Sequence, residues 1–84
     1  MNKDHDVQYI QTDNDYLYLT VDGNPVRIRW ADCSPKLAKA SMAQRNHLEV
    51  SPSGYGIHWL ELDEDLAITP LLQFAEMIVA AQTH

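Results

Sequence analysis

The chain has 84 residues and a net charge of −6, because twelve acidic residues oppose six lysines and arginines. This length accommodates one small domain, and the acidity argues against partners such as nucleic-acid phosphates or anionic membranes. Cys33 is the one cysteine, so an internal disulfide is excluded.

The N-terminal region predicts neither export nor membrane insertion. Residues 1–15 contain four aspartates and no apolar run, which excludes a signal-peptide pattern. The most apolar stretch, 71–81, is shorter than the roughly 20 residues that a membrane-spanning helix needs. Because a lone thiol also suits a reducing compartment, we expect a soluble, cytoplasmic protein.

Alternating apolar residues predict a β-hairpin in the first half of the chain. A weakly alternating strand over 7–11 is followed by clearer strands over 16–21 and 26–30. Between the latter two, Asp22-Gly23-Asn24-Pro25 is a strong turn signal, with Gly and Asn supplying positive φ. The apolar face of this hairpin consists of Leu17, Leu19, Val21, Val26, Ile28 and Trp30, and the opposite face of Tyr16, Tyr18, Arg27 and Arg29.

Helix-start signals predict the remaining elements. Ser34-Pro35 predicts a helix over 34–41, and Ser41 predicts a second short helical turn over 42–45. Strands are expected over 48–50 and 55–59, joined by a turn at 51–54. Thr69-Pro70 predicts a C-terminal helix over 69–82 whose apolar residues recur at helical spacing.

These elements predict an α+β fold, a small two-layer domain in which a mostly antiparallel sheet of four to five strands packs against two helices. We expect one domain over 1–84, with residues 1–6 frayed. The apolar stripe on helix 69–82 is wider than one small sheet can cover, which predicts a homodimer. The expected interface residues are Leu71, Phe74, Met77, Ile78 and Ala81.

The segment 58–65 carries the densest polar chemistry of the chain. Donor atoms of His58, Glu61 and Asp63 suit zinc, manganese or iron, but no spaced His or Cys pair supports a metal. We therefore interpret His58 as a structural hydrogen-bonding group. Glu61, Asp63, Glu64 and Asp65 form an acidic run, which we interpret first as a solvated turn and second as a surface for a basic partner. Acid–base catalysis by paired carboxylates ranks third.

Tyrosines interleaved with arginines on the outer hairpin face suggest two interpretations. Such a surface can stack nucleic-acid bases, or its members can pair across the strands, with arginine stacked on tyrosine. The acidity of the chain favours cross-strand pairing. Cys33 lies just before a helix start, where a thiol pKa falls, but no base pattern accompanies it, so we interpret it as structural.

From Ser41 onward the chain resembles a widespread bacterial family, the domain of unknown function family 2442. The resemblance rests on Ala43-Gln44-Arg45, Leu48-Glu49-Val50, the run 54–59 (GYGIHW), the run 62–66 (LDEDL) and Leu71-Leu72. It departs at Leu60, where relatives usually carry proline. The resemblance implies a small α+β fold and no established activity. Some relatives are thought to act as antitoxins, which implies a protein-binding role.

Together these observations predict a non-enzymatic protein-interaction or regulatory module, antitoxin-like and without a cofactor. Its partner would be a small basic protein that contacts Glu61, Asp63, Glu64, Asp65 and His58. The alternatives are a nucleic-acid binder that uses the Tyr/Arg face and, ranked lower, a metal-dependent enzyme around His58.

Overall fold

A computed structural model describes residues 4–78, which form two antiparallel sheets connected by short helices. The strands are β1 (Val7–Thr12), β2 (Tyr16–Val21), β3 (Asn24–Arg29), β4 (Leu48–Val50), β5 (Gly56–Trp59), β6 (Glu64–Ala67) and β7 (Glu76–Met77). The helices are α1 (Trp30–Cys33), α2 (Pro35–Ala38), α3 (Met42–Asn46) and α4 (Ile68–Leu71), followed by a 3₁₀ turn (Leu72–Phe74). The strand orders are β1-β2-β3-β7 and β4-β5-β6. The α+β class is confirmed, but the expected single sheet with two long helices is not.

The predicted β2–β3 hairpin is present, with a turn of two residues. Val21 pairs with Asn24, which leaves Asp22 and Gly23 as the turn. Their φ angles of 53° and 85° are those of a type I′ turn, whose twist matches that of the flanking strands. Asp22, rather than Asn24, therefore supplies the first positive φ.

A bulge explains why the first strand alternates weakly. Gln8 lies opposite Thr20 and Gln11 lies opposite Tyr18, so two residues of β1 face one residue of β2. Tyr9 takes a positive φ of 56° and its side chain is 77% exposed, whereas Ile10 packs against the core. The extra residue breaks the period of two that identifies a strand in a sequence.

Side-chain caps define where the short helices begin. The Ser34 hydroxyl accepts a hydrogen bond from the Leu37 amide at 3.1 Å, which confirms the predicted start. This helix ends at Ala38, not at residue 41, because Ser41 already caps the next helix. There the Ser41 hydroxyl and the Gln44 amide oxygen each accept a bond from the other's backbone N–H, a capping box. The sequence did not predict α1.

The predicted C-terminal helix over 69–82 is wrong within the described residues. Helix α4 ends at Leu71, and after the 3₁₀ turn the chain extends as β7, where Met77 pairs with Val26 of β3. The Ile78 amide continues this pairing by donating to the Pro25 carbonyl at 2.9 Å. The edge of β3 thus offers backbone partners that a helix would not use. Residues 79–82 lie outside the described residues.

One apolar core joins the two sheets. It combines the apolar face of β2 and β3 with β5 and with residues of the short helices. Trp30 and Trp59 meet edge to face within it, with ring centroids 6.4 Å apart. Their indole N–H groups donate to the carbonyls of Asp13 and Arg45 at 2.8 and 2.9 Å. The buried apolar residues are Leu17, Leu19, Val21, Val26, Ile28, Trp30, Cys33, Leu37, Ile57, Trp59, Ile68 and Leu71.

Residues 4–6, which were expected to fray, are held by hydrogen bonds, and residues 1–3 lie outside the described residues. The Asp4 amide donates to the Ser53 carbonyl at 2.8 Å. The His5 ring contacts Asp22 through Nδ1 and the Thr69 hydroxyl through Nε2, each at 2.8 Å. Thr69 therefore binds His5 and does not cap α4, whose N-cap residue is Ala67. Between residues 4 and 78 no helix is long and apolar enough to cross a membrane.

Candidate binding face beside His58

The candidate site lies on the outer face of the sheet β4-β5-β6. Along β5, Ile57 and Trp59 point into the core, so His58 points to the opposite face. The register places His58 between Glu49 of β4 and Asp65 of β6. We call these three residues the His58 face. Two carboxylates thus flank one imidazole on a solvent-facing surface.

The closest contact of the His58 face joins imidazole and carboxylate. His58 Nδ1 lies 2.6 Å from Asp65 Oδ1, and the two side chains are 38% and 75% exposed. An ionised carboxylate can only accept, so His58 Nδ1 is the donor in this contact. Within residues 4–78, Nε2 makes no hydrogen bond. The contact therefore fixes the orientation of the His58 ring beside a carboxylate.

A pocket of about 430 Å³ opens beside His58. Its lining is largely apolar: Ser51, Tyr55, Gly56, Ile57, His58, Asp65, Leu66 and Ala67. The turn before β5 shapes it, because the Ser51 hydroxyl accepts the backbone N–H groups of Tyr55 and Gly56 at 3.0 and 3.2 Å. This turn leaves the Tyr55 side chain 62% exposed at the pocket.

The glycines flanking Tyr55 each fit closely against another backbone. Gly54 has a φ of +73° and lies against the backbone of His5. Gly56 lies in β5, where an added Cβ would be 2.7 Å from the Leu66 carbonyl oxygen. Both positions leave no room for a side chain, and Gly56 allows β5 to lie close to β6 at the pocket.

The structure divides the predicted acidic run among separate partners. Residues 60–63 form the turn between β5 and β6, as the first interpretation expected, and Asp63 takes a positive φ of 50°. Glu61 pairs with His47 at 3.1 Å, and Glu64 lies 3.7 Å from the Lys36 ammonium. Asp65 is therefore the member of the run that joins His58.

The metal alternative finds no ligand set in the described residues. Glu61 contacts His47 at 3.1 Å, whereas the hydrogen-bond partner of His58 is Asp65. Among residues 4–78, no three His, Cys, Asp or Glu side chains converge in a way that could hold a metal ion.

Three members of the Tyr/Arg face of the first sheet, Tyr16, Tyr18 and Arg27, have partners within the protein. The Arg27 guanidinium lies 4.3 Å from the centre of the Tyr16 ring, and its Nε donates to Glu76 at 2.7 Å. This bond raises the pKa of Arg27. The Tyr18 hydroxyl donates to Asp13 at 2.7 Å, which raises the pKa of Tyr18 and, with the Tyr16 amide, lowers that of Asp13. Glu76 and Asp13 thus already bind the Arg27 guanidinium and the Tyr18 hydroxyl, which are the groups that would have to contact a nucleic acid.

Cys33 lies in the core and lacks the features of a nucleophile. Burial, with a further contribution from the charge of Asp32, raises the pKa of its thiol to about 12. Such a thiol is fully protonated near neutral pH, so the structural interpretation of this residue fits its surroundings.

Sequence reasoning missed Glu49 and Tyr55 as members of the site. They were assigned to two strands joined by a turn at 51–54, but the register that places Glu49 beside His58 was not predicted. The signal was available in principle, since the central residues of three consecutive antiparallel strands share one face.

Comparison with known proteins assigns the chain to a family. A search of curated proteins and a search of solved structures each found no match to this chain. A family model described as protein of unknown function (DUF2442) matches residues 6–76. This match includes β1 to β6, the first residue of β7 and every residue of the His58 face. The chain therefore belongs to the DUF2442 family.

Proposed function

We propose that this protein is a non-enzymatic interaction module that binds a basic segment of another protein through the His58 face. The observation that carries the proposal is the row Glu49–His58–Asp65 on an exposed sheet face beside an open, largely apolar pocket. Regulation of the bound partner, as by an antitoxin, is part of this proposal. A cytoplasmic setting is also part of it, because the single cysteine suits a reducing compartment.

Electrostatics support a basic partner. A net charge of −6 attracts cationic surfaces at long range, and the carboxylates of Glu49 and Asp65 provide local negative charge at the site. Glu61, Asp63 and Glu64 lie in or next to the adjoining turn and add to this field, although Glu61 and Glu64 also have partners within the protein.

We favour binding over catalysis because the site is open to water. Acid–base and electrostatic catalysis gain most in sites from which water is excluded. His58 and Asp65 are 38% and 75% exposed, so their contact operates in a well-solvated environment. Solvated polar groups around an apolar pocket are typical of the rim of a protein interface.

Capture from a lysate of the source organism, using tagged protein, tests the proposal. The test variant is Glu49→Gln with Asp65→Asn, and the matched control is Asp15→Asn with Asp32→Asn, which removes the same charge elsewhere. We expect wild type and control to recover the same amount of one basic partner. The amount that the test variant recovers should be lower by a factor of about ten or more. Equal recovery by all three proteins would reject the role of the His58 face.

We also propose that the protein forms a homodimer through its C-terminal edge. Phe74, Met77 and Ile78 are 54%, 60% and 36% exposed at or beside the edge strand β7. Leu71, also predicted for this interface, is only 5% exposed and belongs to the core, and Ala81 lies outside the described residues. Exposed apolar side chains on an edge strand favour association with another copy.

Sedimentation equilibrium of wild type and of the double variant Phe74→Ser, Met77→Ser tests the dimer. We expect the wild type to sediment as a dimer at micromolar concentration and the variant as a monomer. A wild type that stays monomeric up to submillimolar concentration would contradict the proposal.

A further inference from the structure

The pocket beside His58 combines apolar walls with hydrogen-bond acceptors at one side. Tyr55, Leu66 and Ala67 supply apolar surface, and the carboxylate of Asp65 supplies acceptor atoms. Its volume of about 430 Å³ lies at the small end of the range of roughly 300–1,000 Å³ seen for ligand pockets. We infer that this pocket receives one lysine side chain of the basic partner, an inference that rests on the function proposed above.

The walls of the pocket match the stem of a lysine side chain. Lysine buries its methylene groups along apolar surface while its ammonium remains at a polar edge. The exposed Tyr55 ring provides such surface, together with Leu66 and Ala67 of β6. An acidic or short polar side chain would not use these walls.

The carboxylate of Asp65 matches the ammonium group. Its Oδ1 is engaged by His58 Nδ1, which leaves Oδ2 as an acceptor beside the pocket. A bond between an ammonium and a carboxylate is charge-assisted and stronger than one between neutral groups. The Asp65 side chain is 75% exposed, so the remaining N–H donors of the ammonium can bind water.

The His58–Asp65 contact favours lysine over arginine. A guanidinium binds a carboxylate best through two parallel bonds to its two oxygens. Asp65 Oδ1 is already 2.6 Å from His58 Nδ1, so one oxygen is engaged. Arginine would have to displace this contact to bind in its preferred way, whereas a compact ammonium can bind Oδ2 alone.

A titration followed by two-dimensional NMR tests the inference with Nα-acetyl-lysine N-methylamide as the probe. We expect saturable shifts of the backbone amides of Gly56, His58, Asp65 and Ala67. The norleucine analogue, which has the same apolar stem length without the ammonium, should give no saturable shift. Asp65→Asn should weaken lysine binding by about tenfold or more. Asp15→Asn, which makes the same change at an exposed position outside the His58 face, should leave it unchanged. The same spectra show whether each variant is folded.

The corresponding arginine analogue, Nα-acetyl-arginine N-methylamide, is titrated in the same way and should bind more weakly than the lysine probe. Three outcomes would overturn the lysine inference: no shift at these four amides, equal binding of the norleucine analogue, or tighter binding of the arginine analogue. The result of the lysate experiment is interpreted separately from each of these outcomes. If Glu49→Gln with Asp65→Asn still abolishes partner capture, the His58 face is the interaction site and the lysine pocket alone is wrong. If capture is unchanged as well, the proposed function fails together with the inference.

Discussion

At the scale of single residues, Arg45 is a buried cation held by backbone carbonyls. Only 9% of the residue is exposed. Its Nε donates to the Leu37 carbonyl at 3.0 Å, and its two terminal nitrogens donate to Asn14 and Ala38 at 3.2 and 3.1 Å. The guanidinium also lies 4.9 Å from the centre of the Trp30 ring. One side chain thus fixes the end of α2 against the turn between β1 and β2.

Arg45→Met should destabilise the protein by about 3 kcal/mol, because partly buried carbonyls lose their donors and the stacking on Trp30 is lost. Equilibrium unfolding in urea measures the change. Arg29→Met, at an exposed position of β3, is the control and should stay within about 0.5 kcal/mol of wild type. Similar losses for the two variants would contradict the structural role of Arg45.

Cys33 should be unreactive in the native protein. With its pKa raised to about 12, only about one thiol in ten thousand is ionised at pH 8. A colourimetric disulfide reagent should therefore label Cys33 slowly in buffer and rapidly in concentrated urea. Equal rates in the two conditions would mean that the thiol is accessible and ionised in the native state.

The residues that could be predicted from the sequence act locally. The Ser34 and Ser41 caps bond within three residues of themselves, so their roles follow from short motifs. Arg45 donates a hydrogen bond to the carbonyl of Asn14, which lies 31 positions away, and no local sequence pattern predicts such a partner. The same reason explains why Glu76, which lies 49 positions from Arg27, was missed as its partner.

At the scale of elements, strands with strict alternation were predictable and the C-terminal segment was not. Strands β2 and β3 alternate cleanly, and their turn residues specify the hairpin. The apolar residues after Thr69 repeat at helical spacing, but β3 has an open edge that pairs with Glu76 and Met77. Tertiary hydrogen bonding therefore overrode local periodicity.

The candidate site was predictable in part for the same reason. His58 and Asp65 were singled out from the acidic segment, and the structure places them in contact. Glu49 lies nine positions before His58, and its place in the site depends on the register of β4 against β5. The sequence contains the alternation but does not state which strands are neighbours.

The turn before β5 supports the N-terminal segment, and a glycine comparison tests this contact. In Gly54→Ala the new Cβ would lie 1.8 Å from the His5 carbonyl oxygen, on a residue whose φ is +73°. Gly23 has a φ of +85° and no atom within 4 Å of the same position. Gly23→Ala should therefore cost about 1 kcal/mol from backbone strain alone, and Gly54→Ala more than about 2 kcal/mol.

Urea unfolding measures both glycine variants, and amide hydrogen exchange of Asp4 and His5 reports the contact itself. Protection at these amides should fall in Gly54→Ala and persist in Gly23→Ala. Unfolding free energies that are equal in the two variants would show that the close approach of His5 contributes nothing.

At the scale of the whole molecule, two aspartates make stability depend on acid pH. A hydrogen bond from Tyr18 lowers the pKa of Asp13, and one from His5 lowers that of Asp22, each relative to a value of 3.8. A folded-state pKa below the unfolded value contributes stability that is present above about pH 3.8 and is lost as the pH falls through the folded value. Stability should therefore decline below about pH 3.8.

Urea unfolding at a series of acid pH values tests this linkage. Asp13→Asn and Asp22→Asn should each lower stability at neutral pH and flatten the decline on acidification. Asp32→Asn changes an exposed aspartate outside both hydrogen-bonded clusters and should retain the wild-type slope. An unchanged slope in all three variants would exclude Asp13 and Asp22 as the source.

The contact between Trp30 and Trp59 provides an optical signal for the joining of the two sheets. One indole follows β3 and the other ends β5, and their rings lie 6.4 Å apart at an interplanar angle of 79°. Chromophores this close and this inclined couple their electronic transitions, which produces a paired band of opposite signs in the circular dichroism spectrum. A state in which each sheet keeps its backbone pairing but the sheets have separated would lose this band while retaining its β signal.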